Sequence, residues 1–351
     1  MTLPLPAVPT RIVAAPMAGG PSTPALVAAV GNAGGFGFLP GGYRKPDQIA
    51  ADIDAVRRSS EAPFGVNLFG EPPERPEEAA RVPAFAERVA ARAARLGAEL
   101  GTPAHPAEGV AAKVDRLAEL RPAAVSFTFG LPTAEAVQRL HDAGVAVWVT
   151  VTSPDDARAA AAAGADAVVA QGWEAGGHRG GPTDDEPAQL GLLPLLALVR
   201  RATDLPIIAA GGIADGAGVA AVLTAGAALA ALGTAFLRTP EAGTPPVHVA
   251  ALAEPRPTTV TRAFTGRRAR ALVNGYTADL TEDAPAAYPE VHLLTAPLRA
   301  AAKAAGDAEN LHLWAGQAHQ VAEEIPAGEL VRRLAAEARE ALAAATAALG
   351  S

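Results

Sequence analysis

Eight apolar stretches of strand length, each followed by a helix-compatible segment, run through the first two thirds of the chain and limit the folds open to it. They are Arg11–Ala14, Phe36–Leu39, Pro63–Phe69, Ala123–Phe127, Ala146–Val151, Ala167–Ala170, Ile207–Ala210 and Ala228–Leu232. Continuous apolar runs, rather than alternating ones, suit parallel strands covered on both faces. The helices between them are punctuated. Ser153-Pro154-Asp155-Asp156 supplies an N-cap, a proline at the first helical position and acids at the positive dipole end, and Gly164 closes that helix. Asp215 and Gly226 bracket another in the same way. Eight βα units in about 240 residues match a (β/α)₈ TIM barrel. A doubly wound open sheet would show the same alternation. The barrel is preferred because glycine-rich motifs fall at the ends of the seventh and eighth strands.

Residues 240–320 break the rhythm. They are rich in Pro, Arg and Thr, contain Tyr276, Tyr288 and Trp314, and read as a mostly α-helical insertion after strand eight. The long amphipathic helix Ala327–Leu349 would then close the outer ring. The expected division is a barrel formed by 1–239 together with 321–351, and an inserted substrate or lid domain at 240–320. Residues 71–120 form a long third connection, Pro-rich at first and then helical.

Composition excludes several classes of function. Net charge is −8, and the densest basic cluster is Arg262, Arg267, Arg268 and Arg270, too small for a nucleic-acid footprint. There is no cysteine, hence no disulfide, thiolate metal site or cysteine nucleophile, which fits a cytoplasmic protein. Met1–Pro6 lacks the charged and apolar regions of a secretory signal. Gly216–Leu237 is uncharged and long enough for a membrane span, but its Ala, Gly and Thr content and Gly226 mark a buried helix–strand unit. No membrane association is expected, and either a monomer or a homodimer fits.

The chemistry concentrates at strand ends. Strand six runs into Gln171-Gly172-Trp173-Glu174-Ala175-Gly176-Gly177-His178-Arg179-Gly180-Gly181. Its glycines let backbone approach a ligand closely, and His178 is the side chain best suited to move a proton near neutral pH. Strand seven ends in Gly211-Gly212 and strand eight in Gly233-Thr234. Barrel enzymes often bind phosphate in these two loops, beside a short helix that Ala235–Arg238 can supply. No dinucleotide fingerprint is present, so a mononucleotide-type cofactor is expected. Met17, after strand one, and Asn67, in strand three, join Gln171 in placing backbone amides and two carboxamides around a flat, hydrogen-bonding ring. The remaining histidines, at 105, 141, 248, 292, 312 and 319, fall in helices or polar connections without metal-binding spacing, so no metal is expected.

With these motifs in order along nearly its whole length, the chain resembles the nitronate monooxygenases, once called 2-nitropropane dioxygenases. The matching pieces include Ala15–Gly20, Phe64–Phe69, Val125–Phe127, Gln171–Gly181, Ala209–Ile213, Leu232–Leu237, Arg262–Asn274 and Leu313–Gln317. The resemblance implies an FMN-binding TIM barrel with a helical insertion over the active site and His178 as the active-site base. It also implies FMN held by Met17, Asn67, Gln171, Gly176, Gly212 and Ala231, Leu232, Gly233 and Thr234. The implied reaction oxidises an alkyl nitronate, such as propionate 3-nitronate, with O₂ to a carbonyl compound and nitrite. Two departures bear on the pocket: Ala231 where the family usually has Gln, and Thr128 where many bacterial members have His. The alternatives are an FMN-dependent NAD(P)H oxidoreductase acting on quinones or enoyl-acyl-carrier-protein, and a non-catalytic flavin-binding protein.

Overall fold

The computed structural model describes residues 2–184 and 189–350. Eight parallel strands close into a barrel. They are β1 (Ile12–Ala14), β2 (Phe36–Pro40), β3 (Phe64–Phe69), β4 (Ala124–Thr128), β5 (Ala146–Val151), β6 (Ala167–Gln171), β8 (Ile207–Ala210) and β9 (Leu229–Leu232), each within a residue of its expected bounds. The two-residue strand β7 (Gly177–His178) stands outside the barrel. Closure is made by β9 on β1, with Ile12 opposite Ala230 and Ala14 opposite Leu232. The helix punctuation operates as read: Ser153 accepts from Asp156 N at 3.0 Å and Asp215 from Gly218 N at 2.8 Å. Gly164 and Gly226 take left-handed φ of +90° and +97° where their helices end. Among the described residues, no helix is long and apolar enough to cross a membrane.

The barrel interior explains where a cavity can exist. Inward-facing Val13, Phe36, Phe38, Ala124, Ala146, Trp148, Ala167, Ile208 and Leu229 form one buried cluster. Phe36 stacks on Trp148 at 5.4 Å and Phe38 meets its edge at 5.3 Å, filling the middle of the barrel. Towards the carboxyl ends the inward residues shrink to Ala210 and Ala231, which form part of a cavity floor with Phe38, Trp148 and Ile208. Aromatic bulk below and alanine above leave room at the end of the barrel where such enzymes react.

The segment 240–320 carries the helices Pro246–Ala253, Gly275–Leu280 and Glu290–Ala305. It also carries two strands that the sequence reading did not anticipate, β10 (Thr258–Thr261) and β11 (Ala269–Leu272). They pair antiparallel, and β11 also pairs with β7, with Ala269 opposite His178 and Arg270 opposite Gly177. The apolar core here includes Phe264, Tyr276, Leu294 and Leu298, and is completed by Val82, Phe85 and Val89 of the third connection. The final helix, Ala327–Ala348, joins the main core through Leu330, Val331 and Leu334 and closes the ring against Pro24–Asn32 and Gly216–Thr224.

Candidate active site

A cavity of about 500 Å³ opens at the carboxyl ends of the strands, under the helices of 240–320. That volume suits a small-molecule or cofactor site. Met17, Asn67, Gln171, Gly176, His178, Gly211, Gly212, Ala231, Gly233 and Thr234 all line it. Leu232 does not: its side chain lies in the core with Ala14 and Phe236, and its carbonyl accepts Ala15 N at 2.9 Å.

The loop after β6 is held from several sides. Gln171 Nε2 donates to His178 O at 3.0 Å, and its Oε1 accepts Gly180 N at 2.9 Å. One carboxamide thus clamps the backbone on both sides of Arg179, directly after the imidazole. Arg179 Nη1 donates to Gln171 O and Gly172 O, Arg270 Nη2 to Trp173 O at 2.8 Å, and Arg267 Nε to Arg179 O at 3.1 Å. Each of these guanidiniums holds a loop carbonyl, and Arg262 pairs with Asp184 at 2.9 Å. The basic cluster seen in the sequence is therefore a fastening for the loop.

His178 Nε2 lies 2.8 Å from Thr265 Oγ1. The ring is edged by Trp314 at 5.2 Å and Phe129 at 5.6 Å. Burial, then the positive charges of Arg267 and Arg299, lower its pKa from 6.5 to about 3. It stands neutral at physiological pH, the form in which an imidazole accepts a proton.

Two glycine turns line the same cavity. Gly211 and Gly212 have φ of +105° and +72°. A Cβ on either would come within 3.0 Å of Ala175 Cβ or Glu174 Cβ respectively, so only glycine sits here without displacement. A Cβ on Gly233 would meet nothing nearer than 3.8 Å, leaving open space against its backbone. Among the described residues no acceptor takes the N–H of Gly212 or Gly233. Unclaimed amides beside a cradle, next to the short helix Thr234–Phe236, fit an anion such as phosphate. Thr234 Oγ1 accepts Gly316 N at 3.0 Å, while a Cβ on Gly176 would strike the 315–316 backbone at 2.5 Å. The far end of the inserted segment is thus latched to both cofactor-side loops.

The amide of Met17 is already taken by Ser22 Oγ at 2.9 Å, leaving the thioether at the wall. Asn67 Oδ1 accepts Ser126 Oγ at 2.8 Å and its Nδ2 reaches Thr128 Oγ1 at 3.4 Å. Asn67 and Gln171 each keep one amide proton uncommitted for a ring edge. These uncommitted amide protons and the unclaimed amides at Gly212 and Gly233, all lining one cavity, fit a flavin with its phosphate.

The sequence reading missed a second group of wall residues. His248, His292 and His312 line the cavity with Tyr43, Arg299 and Lys303. Their histidines are neutral: burial pushes His248 down to about 4, and burial with Arg299 pushes His292 to about 3. Tyr43, at φ +62°, stacks on His292 at 4.5 Å. Arg299 is buried, its Nε on Thr295 Oγ1 at 3.0 Å and Nη2 on His292 O at 2.8 Å. Among the described residues, no aspartate or glutamate lines the cavity beside this guanidinium. The signal was available: His292, Thr295, Arg299 and Lys303 recur at helical spacing as a polar stripe on an otherwise apolar helix. No cluster of metal-ligating side chains occurs among the described residues.

Comparison with known proteins agrees with this layout. The family model for nitronate monooxygenase matches residues 7–337. A nitronate monooxygenase of Paraburkholderia phytofirmans is 40% identical, covering 97% of this chain and 95% of the relative. One from Pseudomonas aeruginosa is 40% identical over 93% and 96%. Among solved structures, a nitroalkane oxidase from Streptomyces ansochromogenes superposes with a TM-score of 0.93 at 50% identity, covering 96% of this chain and 98% of that one. FabK from Thermotoga maritima gives 0.76 at 28% identity, over 96% and 95%.

Proposed function

The chain belongs to the nitronate monooxygenase family, and on that premise we propose that its cavity binds FMN with His178 facing the reacting carbon. It is an enzyme that oxidises nitronates, in a flavin-dependent family. In this reading the phosphate rests on Gly211, Gly212, Gly233 and Thr234, and the ring edge on Asn67 and Gln171. Bound flavin would supply the electron transfer that carries a nitronate and O₂ to a carbonyl compound and nitrite. The protein's own part is to exclude water, orient the nitronate, and remove a proton when the substrate arrives as a neutral nitroalkane. The barrel of 1–239 with 321–351 holds the cofactor, and 240–320 covers the substrate. The single observation that carries the reading is the neutral imidazole of His178 in one cation-lined cavity with unclaimed glycine amides.

The likeness to FabK supports a second reading, a flavin-dependent NAD(P)H oxidoreductase. Anaerobic mixing separates the two. Ethylnitronate is expected to reduce the flavin and NADH to leave it oxidised. Rapid bleaching by NADH, with no response to nitronate, would establish the reductase instead.

A nitronate is itself an anion, and a cavity with Arg299 and Lys303, and no acid among the described residues that line it, favours one that carries a second negative group. Propionate 3-nitronate has such a carboxylate, for Arg299 to meet. Arg299→Leu is expected to lower kcat/KM for it by about 10- to 100-fold, the worth of a charged hydrogen bond. Ethylnitronate, with no carboxylate, should lose much less. Equal losses on both substrates would reduce Arg299 to a brace for His292 and Thr295.

A further inference from the structure

Thr265 lies before β11, 2% exposed, so no bulk water competes for its hydroxyl. Three groups surround Oγ1: His178 Nε2 at 2.8 Å, the Arg267 carbonyl at 3.2 Å and the Arg267 N–H at 3.4 Å. A hydroxyl has one proton to give. It goes either to the Arg267 carbonyl or to the Nε2 lone pair, and the choice sets the imidazole tautomer.

The two arrangements differ in what they leave unpaired. If the proton goes to Arg267 O, Nε2 carries hydrogen and donates to Thr265 Oγ1, and every donor in the chain of bonds is used. Only the Nδ1 lone pair remains, in a ring that lines the cavity, and no protein group among the described residues bonds to it. If instead the proton goes to Nε2, the Arg267 carbonyl loses its one donor among the described residues, and an Nδ1–H is stranded without an acceptor. An unmet buried polar group shifts such a balance by about 10- to 100-fold. Arg267 cannot turn away, because its guanidinium is tied to the carbonyls of Arg179 and Gly181 and lies 4.3 Å from the Phe129 ring.

We propose that Thr265 is a positioning residue that holds His178 as the Nε2–H tautomer and so presents the Nδ1 lone pair to the cavity as the proton acceptor. Its catalytic consequence rests on the reading of His178 as a base; the tautomer itself does not. The inserted segment therefore does more than cover the barrel: it sets the protonation pattern of the loop residue that β11 grips.

The test is a long-range ¹H–¹⁵N correlation spectrum of flavin-loaded, ¹⁵N-histidine-labelled protein at neutral pH, with His178 assigned by its loss in His178→Asn. The expected spectrum shows a protonated Nε2 and a bare Nδ1; a protonated Nδ1 overturns the proposal whatever the activity. Thr265→Val keeps the branched shape and removes the hydroxyl, which leaves an Nε2–H facing a methyl. It should move the tautomer ratio towards Nδ1–H by about 10- to 100-fold and cut turnover of neutral nitroethane in step. Ethylnitronate turnover should change little, and Thr265→Ser should restore both tautomer and rate. A loss shared by both substrates and not repaired by serine would mean Thr265 is merely structural. If valine prevents folding, the wild-type and serine spectra still decide the matter. Failure of the base reading is separate, and would show as undiminished nitroethane turnover in His178→Asn.

Discussion

His178→Asn is expected to lower turnover of neutral nitroethane by ~10²–10⁴-fold, the usual share of a positioned general base, while sparing much of the turnover of pre-formed ethylnitronate. Asparagine still offers a donor to a nitro oxygen but accepts no proton at neutral pH. The environment argues for proton acceptance despite a pKa of about 3. The cations at Arg267 and Arg299, which help to depress it, also stabilise the nitronate anion as it forms. That new negative charge beside the ring then raises the imidazole's affinity for the proton it has taken. The pH profile follows with a definite sign. The active form is the neutral one and its pKa lies far below 6.5, so the wild-type rate on nitroethane should stay level as pH falls through 6.5. It should decline only on approach to 3. Steady-state rates on both substrate forms at one pH are the measurement. Equal losses would make His178 a binding group, and no loss on either would remove it from the active site.

How much of this was legible in the sequence follows from what each residue answers to. The barrel strands answer to local rules: buried on both faces, they show as unbroken apolar runs, and their helices carry caps such as Ser153 and Asp215. Gly211, Gly212 and His178 were also readable, because a turn that needs φ > 0 or a lone imidazole in glycines constrains residue type at that very position. β10 and β11 were not readable. Thr258–Thr261 shows no apolar alternation, and β11 gains part of its pairing from the two-residue strand Gly177–His178, far away in sequence. Arg270, in the sequence only a member of a small basic cluster, is buried on the Trp173 carbonyl. His248, His292 and His312 were placed in the correct kinds of segment, but the face each presents depends on how the inserted helices pack, partly on Val82, Phe85 and Val89 from another connection. Gln171 was read as a ring contact, and its second task, bracing the loop through His178 O and Gly180 N, depends on a loop path that local sequence does not show.

Gly212→Asp is expected to leave the barrel folded and strip it of flavin. The backbone there has φ +72°, a region aspartate enters more readily than most residues, so the turn itself survives. The new Cβ comes 3.0 Å from Glu174 Cβ, whose carboxylate is anchored on Leu192 N at 3.0 Å, so the wall yields little. The added carboxylate is then confined beside the amides proposed to receive the phosphate. A unit charge held about 4 Å from another of the same sign, at an effective dielectric near 20, costs about 4 kcal/mol, or roughly 10³-fold in affinity. A dianionic phosphate meets more than that. Gly212→Asn separates charge from bulk, since it has nearly the same shape, tolerates the same backbone and carries no charge. It should retain far more flavin than the aspartate variant. The readout is the flavin-to-protein ratio after purification and after reconstitution with FMN, with circular dichroism to verify the fold. Full occupancy in Gly212→Asp would place the phosphate elsewhere, and equal loss in both variants would mean that the side chain's volume, not its charge, closes the cradle.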